Sequence, residues 1–389
     1  MIRSGNVFGA AELVRSANAM AHVCGKVCPE EIFCQSVCTR GKQDSPIAIR
    51  ELHYHATLRQ SGRGDRLPAV ARRNERSIAV IGGGPAGLAC AFTSARLGYR
   101  VTLYDRDDPG GVPARSIPLF RLARADVDVD TSFLMHYINF RQEEIDRESF
   151  LAIERRNDAL FVATGLTLDK ALPIPGAELQ GVMPVLNFLR LAREGEDASG
   201  SGPITAIRGK RVIVVGGGNV SLDAAATAKR SGCGEITLMY RRGPREMRVW
   251  NAELEEARNQ GVEIQYFVMP VEILGSDCVT GVRCQRTRLS GRSDSSGRGV
   301  PEGIERSEFV LQADLVIPAI GQAAGAEFLD LFERTPQGTL KVDAAFATSR
   351  PRVFAGGDLI SGEGTIVQSV GHGTEAAHAI HRFLSGGRA

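Results

Sequence analysis

Gly82, Gly84 and Gly87 follow the apolar run Ile78–Ile81 in the spacing G-x-G-x-x-G. Such a loop turns tightly at the first glycine and lets backbone approach a pyrophosphate at the second. The third glycine lets helix and strand pack closely. A second apolar run, Arg100–Tyr104, ends at Asp105, 23 residues beyond Gly82. A carboxylate there can accept hydrogen bonds from a ribose diol. The pattern recurs after Lys210, with Gly216, Gly218 and a small Ser221 in the third place. Its second strand ends at Tyr240 with no acid. Arg241 and Arg242 follow at once, then Arg245 and Arg248. Guanidinium groups suit a ribose 2′-phosphate that a carboxylate would repel, so this site leans toward NADP(H) over NAD(H).

The third group is sulfur. Cys24, Cys28, Cys34 and Cys38 fall within fifteen residues, as C-x3-C-x5-C-x3-C. If the segment is helical, each i, i+4 pair shares a face. Four thiolates so placed could bind one 4Fe–4S cluster. Pro29 directly follows Cys28, as in many cluster loops. Cys90, Cys233, Cys278 and Cys284 are scattered and read as ordinary thiols. No C-x-x-C occurs in the sequence, which argues against disulfide reduction.

These residues need rigid elements to position them. The runs SIAVIGGGPAGLACAFTSARLGYRVTLYD and KRVIVVGGGNVSLDAAATAKRSGCGEITLMYRR each read as strand, glycine turn, helix and second strand. The repetition predicts a duplicated nucleotide-binding unit and an α/β fold with two Rossmann-like domains. Residues 1–76 are expected to form a small helical, cysteine-containing domain and a basic linker. Residues 77–179 and 318–389 would form a discontinuous FAD-binding domain. Residues 180–317 would form an inserted NAD(P)-binding domain. The Gly/Ser-rich stretches 194–203 and 290–303 read as loops, the latter joining two hairpin strands.

Composition narrows the class. A net charge of +2 and 24% charged residues give no field for nucleic acid or an anionic membrane. No apolar run reaches the length of a membrane span. The first 23 residues lack the layout of a secretory signal. A cytoplasmic location is expected, where cysteines serve as thiols or metal ligands.

At this point the chain resembles a known family, the FAD/NAD(P)H electron-entry module shared by the glutamate synthase small subunit and the N-terminal part of dihydropyrimidine dehydrogenase. The resemblance covers nearly the whole chain. It rests on CGKVCPEEIFCQSVC, GGGPAGLA, IPLFRL, ATG, IPGAELQGVMPVLNFL, GGGNVSLDAA, YRRGPREMR, AIGQ and AGGD. It implies FAD contacts at Gly82, Gly84, Pro85, Ala86, Gly87, Leu88, Asp105, Gly111, Val112 and Arg121. Thr164 and Gly165 of ATG, Gly357, Asp358 and the helix beginning near Thr365 complete that set. For the dinucleotide it implies Asn219, Val220 and Ser221 in the loop, and Arg241, Arg242 and Arg248 at the 2′-phosphate. Ala319 and Gly321 would lie beside the nicotinamide. Taken alone, ATG and AIGQ read as strand-ending turns.

The cysteine group departs from the relatives, which carry a second group upstream and two clusters between the groups. The family pattern assigns Cys28 and Cys34 to one cluster and Cys38 to the other, and gives Cys24 no role. His53 falls where a relative has a non-cysteine ligand; beside His55 it reads as a packing histidine. Three readings stand: one rearranged cluster on the four cysteines, ligands completed by a partner subunit, or a remnant without a cluster.

The resemblance implies a diaphorase subunit. Nicotinamide and flavin would stack in the cleft between the domains, and a hydride would pass between nicotinamide C4 and flavin N5. The cofactors are FAD, NAD(P)H and, in the first reading, one 4Fe–4S cluster. The partners are an iron–sulfur electron-transfer subunit and a separate catalytic subunit, since no length remains for a terminal catalytic domain. Two other readings are a non-catalytic FAD scaffold and a stand-alone ferredoxin–NAD(P) reductase.

Overall fold

The computed structural model describes residues 1–61, 70–195, 207–294 and 297–386. Much of the basic linker and most of the first Gly/Ser-rich stretch lie outside them. The chain divides into two compact units. One comprises 1–115, 119–167 and 323–389; the other comprises 116–118 and 168–322.

The first unit holds β1 (Ser77–Ile81), β2 (Arg100–Asp105), β3 (Asn139–Gln142) and β4 (Ala159–Val162). With the strand Val353–Ala355 they form a parallel sheet. Its order is β3-β2-β1-β4 and then Val353–Ala355, that of a doubly wound nucleotide fold. β1 is buried on both faces, which is why its sequence is continuously apolar. Ala79 and Ile81 join Phe150, Phe328 and Leu329 in one core, where the Phe150 and Phe328 rings stack 4.8 Å apart.

Six helices, α1 (Val7–Ala17), α2 (Ala21–Val27), α3 (Ile49–Ser61), α4 (Pro85–Arg96), α5 (Arg124–Met135) and α6 (Arg147–Arg156), belong to the same unit. A further long helix, Ile366–Leu384, runs near the C-terminus, and Val112–Arg115 and Asp358–Ser361 are single helical turns. By contact the N-terminal helices group with this unit. The cause is a buried polar clamp. Arg15 of α1 pairs with Asp130 of α5 at 2.6 Å, and both side chains are fully buried. Asp130 also accepts the His22 and Val23 amides, which caps the first turn of α2. The buried His22 ring lies 2.8 Å from the Thr57 hydroxyl and 3.2 Å from Asp126.

In the second unit, α7 (Val185–Gly195) precedes the second repeat, β5 (Arg211–Val215), α8 (Asn219–Arg230) and β6 (Glu235–Tyr240). Next come α9 (Asn251–Asn259), β7 (Glu263–Tyr266), β8 (Val268–Gly275), β9 (Val279–Ser293), β10 (Gly299–Gln312) and β11 (Leu315–Pro318). The parallel sheet runs β11-β5-β6-β7, and β8, β9 and β10 form an antiparallel sheet. Alternation along β5 explains the layering. Val212 and Val214 pack with the helical side, beside Phe188, Leu222 and Leu254. Ile213 and Val215 pack with Val268, Val282 and Cys284 of the antiparallel strands. Leu172, Ile174, Ala177 and Leu179 join that second core. Residues 168–179 thus pack into this unit, which by contact spans 116–118 and 168–322.

Candidate nucleotide and cluster sites

The three glycines of the first loop do different work. A side chain on Gly82 would land on the carbonyl of Ala163, and its φ of 109° already favours glycine. A side chain on Gly87 would land on the Gly82 carbonyl. Gly84 is different. Its φ is −77°, and the nearest atom to an added Cβ is the Gly111 Cα, 3.9 Å away. Gly82 and Gly87 are therefore required by the chain itself, whereas Gly84 keeps a space open at the N-terminus of α4. That is where backbone amides meet a phosphate.

Asp105 ends β2 in the expected place. One carboxylate oxygen accepts the Gly83 amide at 2.6 Å and the other accepts the Asp107 amide at 2.9 Å. Each oxygen keeps a second lone pair for a ribose hydroxyl. Gly110 donates to the Gly83 carbonyl at 2.8 Å, which lays Gly111 and the turn Val112–Arg115 beside the loop. Val112 is exposed and Arg121 half-buried. Pro85 begins α4 and Ala86 packs against Gly357. Leu88 is fully buried in the core, so only its backbone could serve a ligand.

The strand Val353–Ala355 leads into Gly357 (φ 71°) and Asp358. Ser369 holds the Asp358 carboxyl at 3.4 Å. Burial still raises its pKa, more than Ser369 and His372 lower it. Thr365 caps the long C-terminal helix, accepting the Gln368 amide in a reciprocal box. Gly165 has φ 67° with open space around it. Beside it the Thr164 hydroxyl is buried without a hydrogen-bond partner among the described residues, and so is His372 Nδ1. Orphaned buried polar atoms of this kind call for a partner from outside the chain. Open glycines, unsatisfied polar atoms and two helix N-termini at the carboxyl ends of parallel strands together fit FAD. His372 was not foreseen from the sequence. The available signal was its setting, Gly371–His372–Gly373, since glycines within a helix are costly unless something must come close.

The second loop repeats the division of labour. Side chains on Gly216 and Gly217 would strike the Ala319 carbonyl and the Tyr240 ring, whereas nothing lies within 4 Å of one on Gly218. Ser221 is fully buried and donates to the Gly218 carbonyl, so it fills the third glycine place without opening the helix. Asn219 accepts the Trp250 amide at 3.3 Å, and Val220 packs against the helical core. Arg248 donates its amide to Gly217 at 3.2 Å, returning the arginine segment to the glycine loop. Ala319 continues β11 by donating to Val215, and Gly321 accepts the Lys170 amide.

The expected role of Arg242 needs correction. It is 4% exposed, pairs with Asp294 at 2.6 Å and donates to the Gly299 carbonyl at 2.8 Å. Its charge is spent inside the protein. Arg241 is exposed, and desolvation followed by the Arg242 and Arg298 charges lowers its pKa.

The cysteines also differ from expectation. α2 stops at Val27, and Cys28 is extended because Pro29 disfavours helix at the residue before it. Cys34 lies in a turn and Cys38 is extended. The i, i+4 pairs therefore do not share helix faces. Cys24 is buried, and burial pushes its thiol up to about 12. Burial, then the nearby Cys34, pushes Cys28 up to about 11. Cys38 is the opposite case, lowered by the amides of Ile47 and Gly41. His53 is half-buried on α3 and its pKa is lowered by burial. Among the described residues no three Cys, His, Asp or Glu side chains gather as a metal site.

A pocket lined by Pro175, Glu272, Arg283 and Phe309 lies on the antiparallel sheet and contains none of these residues. No described helix is long and apolar enough to cross a membrane.

Comparison with known proteins follows the same division. The pyridine nucleotide-disulphide oxidoreductase profile matches residues 76–379. The profile of dihydropyrimidine dehydrogenase domain II, 4Fe-4S cluster, matches residues 1–63. The chain is 34% identical to the NADP(+)-dependent formate dehydrogenase subunit beta of Moorella thermoacetica, over 99% of this chain and 58% of that one. It is 32% identical to the glutamate synthase [NADPH] small chain of Escherichia coli (strain K12), over 99% of this chain and 85% of that one. The NAD-dependent dihydropyrimidine dehydrogenase subunit PreT of the same strain is 33% identical, over 98% of this chain and 86% of that one. All three are named as subunits or small chains.

Proposed function

This chain belongs to the pyridine nucleotide-disulphide oxidoreductase family and is an FAD-dependent NAD(P)H oxidoreductase; from that premise we propose that it is the electron-entry subunit of a larger assembly. It takes electrons from NADPH and delivers them to iron–sulfur clusters carried by a partner, with the terminal substrate handled by a separate catalytic subunit. The observation that carries this reading is the paired open cradle. Gly84 and Gly218 each leave room at a helix N-terminus while their neighbouring glycines are needed for packing.

Bound FAD supplies hydride acceptance at N5 and one-electron release, the conversion that joins a nicotinamide to iron–sulfur centres. The residues do the rest. Asp105 holds a ribose diol and the first amides of α4 hold the pyrophosphate. Thr164 and His372 offer their unsatisfied atoms to the ligand, and Asp358 accepts from a hydroxyl of it. The N-terminus of the Ile366–Leu384 helix contributes positive potential. No side chain is needed as general acid or base.

The cysteine segment supports a shared cluster. Cys28, Cys34 and Cys38 are free thiols and none is fully buried, so ligands from a partner can reach them. Ile32, Val37 and Ile47 in the same segment are exposed apolar side chains that a partner could cover. A cytoplasmic location goes with this reading, since free cysteines suit a reducing compartment.

The test is a dye-reduction assay on the full chain purified anaerobically with FAD, together with iron and acid-labile sulfide analysis. The expected result is NADPH-driven turnover with iron well below about four per chain in the absence of a partner. Flavin-bound protein without turnover would support a non-catalytic scaffold instead. About four irons per chain would return the cluster to this chain alone.

A further inference from the structure

Arg242 was the natural candidate to read a 2′-phosphate, and it is a strut. The segment after β6 is clasped at three points, by strands β9 and β10 and by the residue just before β8. Thr287 of β9 donates its hydroxyl to the Arg241 carbonyl at 2.9 Å. The Arg242 guanidinium reaches the Gly299 carbonyl at the start of β10 and Asp294 just beyond β9. Phe267 donates its amide to the Arg242 carbonyl at 3.1 Å. The clasp has a consequence in charge. It brings Arg298, half-buried and 3.8 Å from Asp294, within electrostatic reach of Arg241. Three guanidinium groups, Arg241, Arg242 and Arg298, thus meet around one carboxylate, Asp294, which leaves a local surplus of positive charge among them. That surplus stands at the end of the second strand of a Rossmann repeat, where the ribose 2′ position of a dinucleotide falls. A 2′-phosphate carries about −1.5 to −2 at neutral pH and would balance it.

We propose that the facing ends of β9 and β10 carry the NADP-selecting element of this protein, in which Arg298 joins Arg241 on the 2′-phosphate while Arg242 and Asp294 position them. This rests on the dinucleotide site proposed above and adds a contact from a separate sheet. Arg298 then distinguishes NADP(H) from NAD(H), and Arg242 acts only through its neighbours.

The experiment is calorimetric titration of the full chain with 2′,5′-ADP and with 5′-AMP, which needs neither flavin nor turnover. Wild-type protein is expected to bind 2′,5′-ADP at least about tenfold more tightly than 5′-AMP. Arg298→Gln should weaken 2′,5′-ADP by about tenfold and 5′-AMP by less than about twofold, and Arg298→Lys should recover part of the loss. Arg241→Gln should show the same selective loss. The inference is overturned if Arg298→Gln keeps wild-type affinity for 2′,5′-ADP, or weakens both probes equally. A wild type that binds 5′-AMP yet gains nothing from the 2′-phosphate also overturns it while leaving the dinucleotide site intact. Binding of neither probe would remove the underlying site as well.

Discussion

Gly84 and Gly87 share one loop and face opposite constraints. Alanine at 84 meets allowed backbone and ordinary contacts. Gly84→Ala should change unfolding free energy by less than about 0.5 kcal/mol in the flavin-free chain, yet cut FAD affinity by at least about tenfold. Gly87→Ala drives a methyl onto the Gly82 carbonyl and should cost about 1–3 kcal/mol before any ligand is considered. Thermal unfolding and flavin titration of the two variants would separate the roles. Equal loss of stability in both would refute the division. Asp358 gives a second check. Burial raises its pKa above the ordinary 3.8, so the folded chain holds a proton that the unfolded chain releases. Stability from this group therefore falls as pH rises from 3.8 through the folded value, and stays low above it. Asp358→Asn should raise the unfolding midpoint of the flavin-free chain at pH 7 and weaken FAD binding. A lower midpoint at pH 7 would contradict the burial argument. The glycine spacing was legible because backbone geometry fixes it locally. His372, Arg298 and the strut role of Arg242 were not, because each depends on a residue brought from a distant segment.

At the scale of elements, periodicity and glycine turns were enough to find both nucleotide repeats and the long hairpin. The cysteine segment is not the run of helical faces that its i, i+4 spacing would give if helical. Pro29 after Cys28 was visible, and its restriction on the preceding residue ends α2 there. The docking of α1 and α2 on α5 was hidden for another reason. It rests on Arg15 and Asp130, 115 residues apart, and no local pattern links them. Arg15→Leu would strand the Asp130 carboxylate in the interior. Loss of one partner from a buried ion pair costs about 3–5 kcal/mol. The variant should unfold at lower temperature and expose residues 1–61 to protease first. Wild-type stability would mean that the Asp130 carboxylate is satisfied by the α2 amides alone.

At the scale of the molecule, the duplicated nucleotide unit fits two cofactors in series, and the family gives the chemistry between them. The N-terminal segment matches a 4Fe-4S domain profile and carries Cys28, Cys34 and Cys38, none of them fully buried. The apolar side chains of Ile32, Val37 and Ile47, exposed in the same segment, are the surface on which the partner we propose would sit. The central claim remains electron entry from a pyridine nucleotide into FAD. Its most direct test is anaerobic titration of the FAD-loaded full chain with NADPH, following the visible flavin spectrum. The expected result is bleaching of the flavin band to completion by about one NADPH per FAD. A flavin that stays oxidised under excess NADPH and excess NADH would contradict the account.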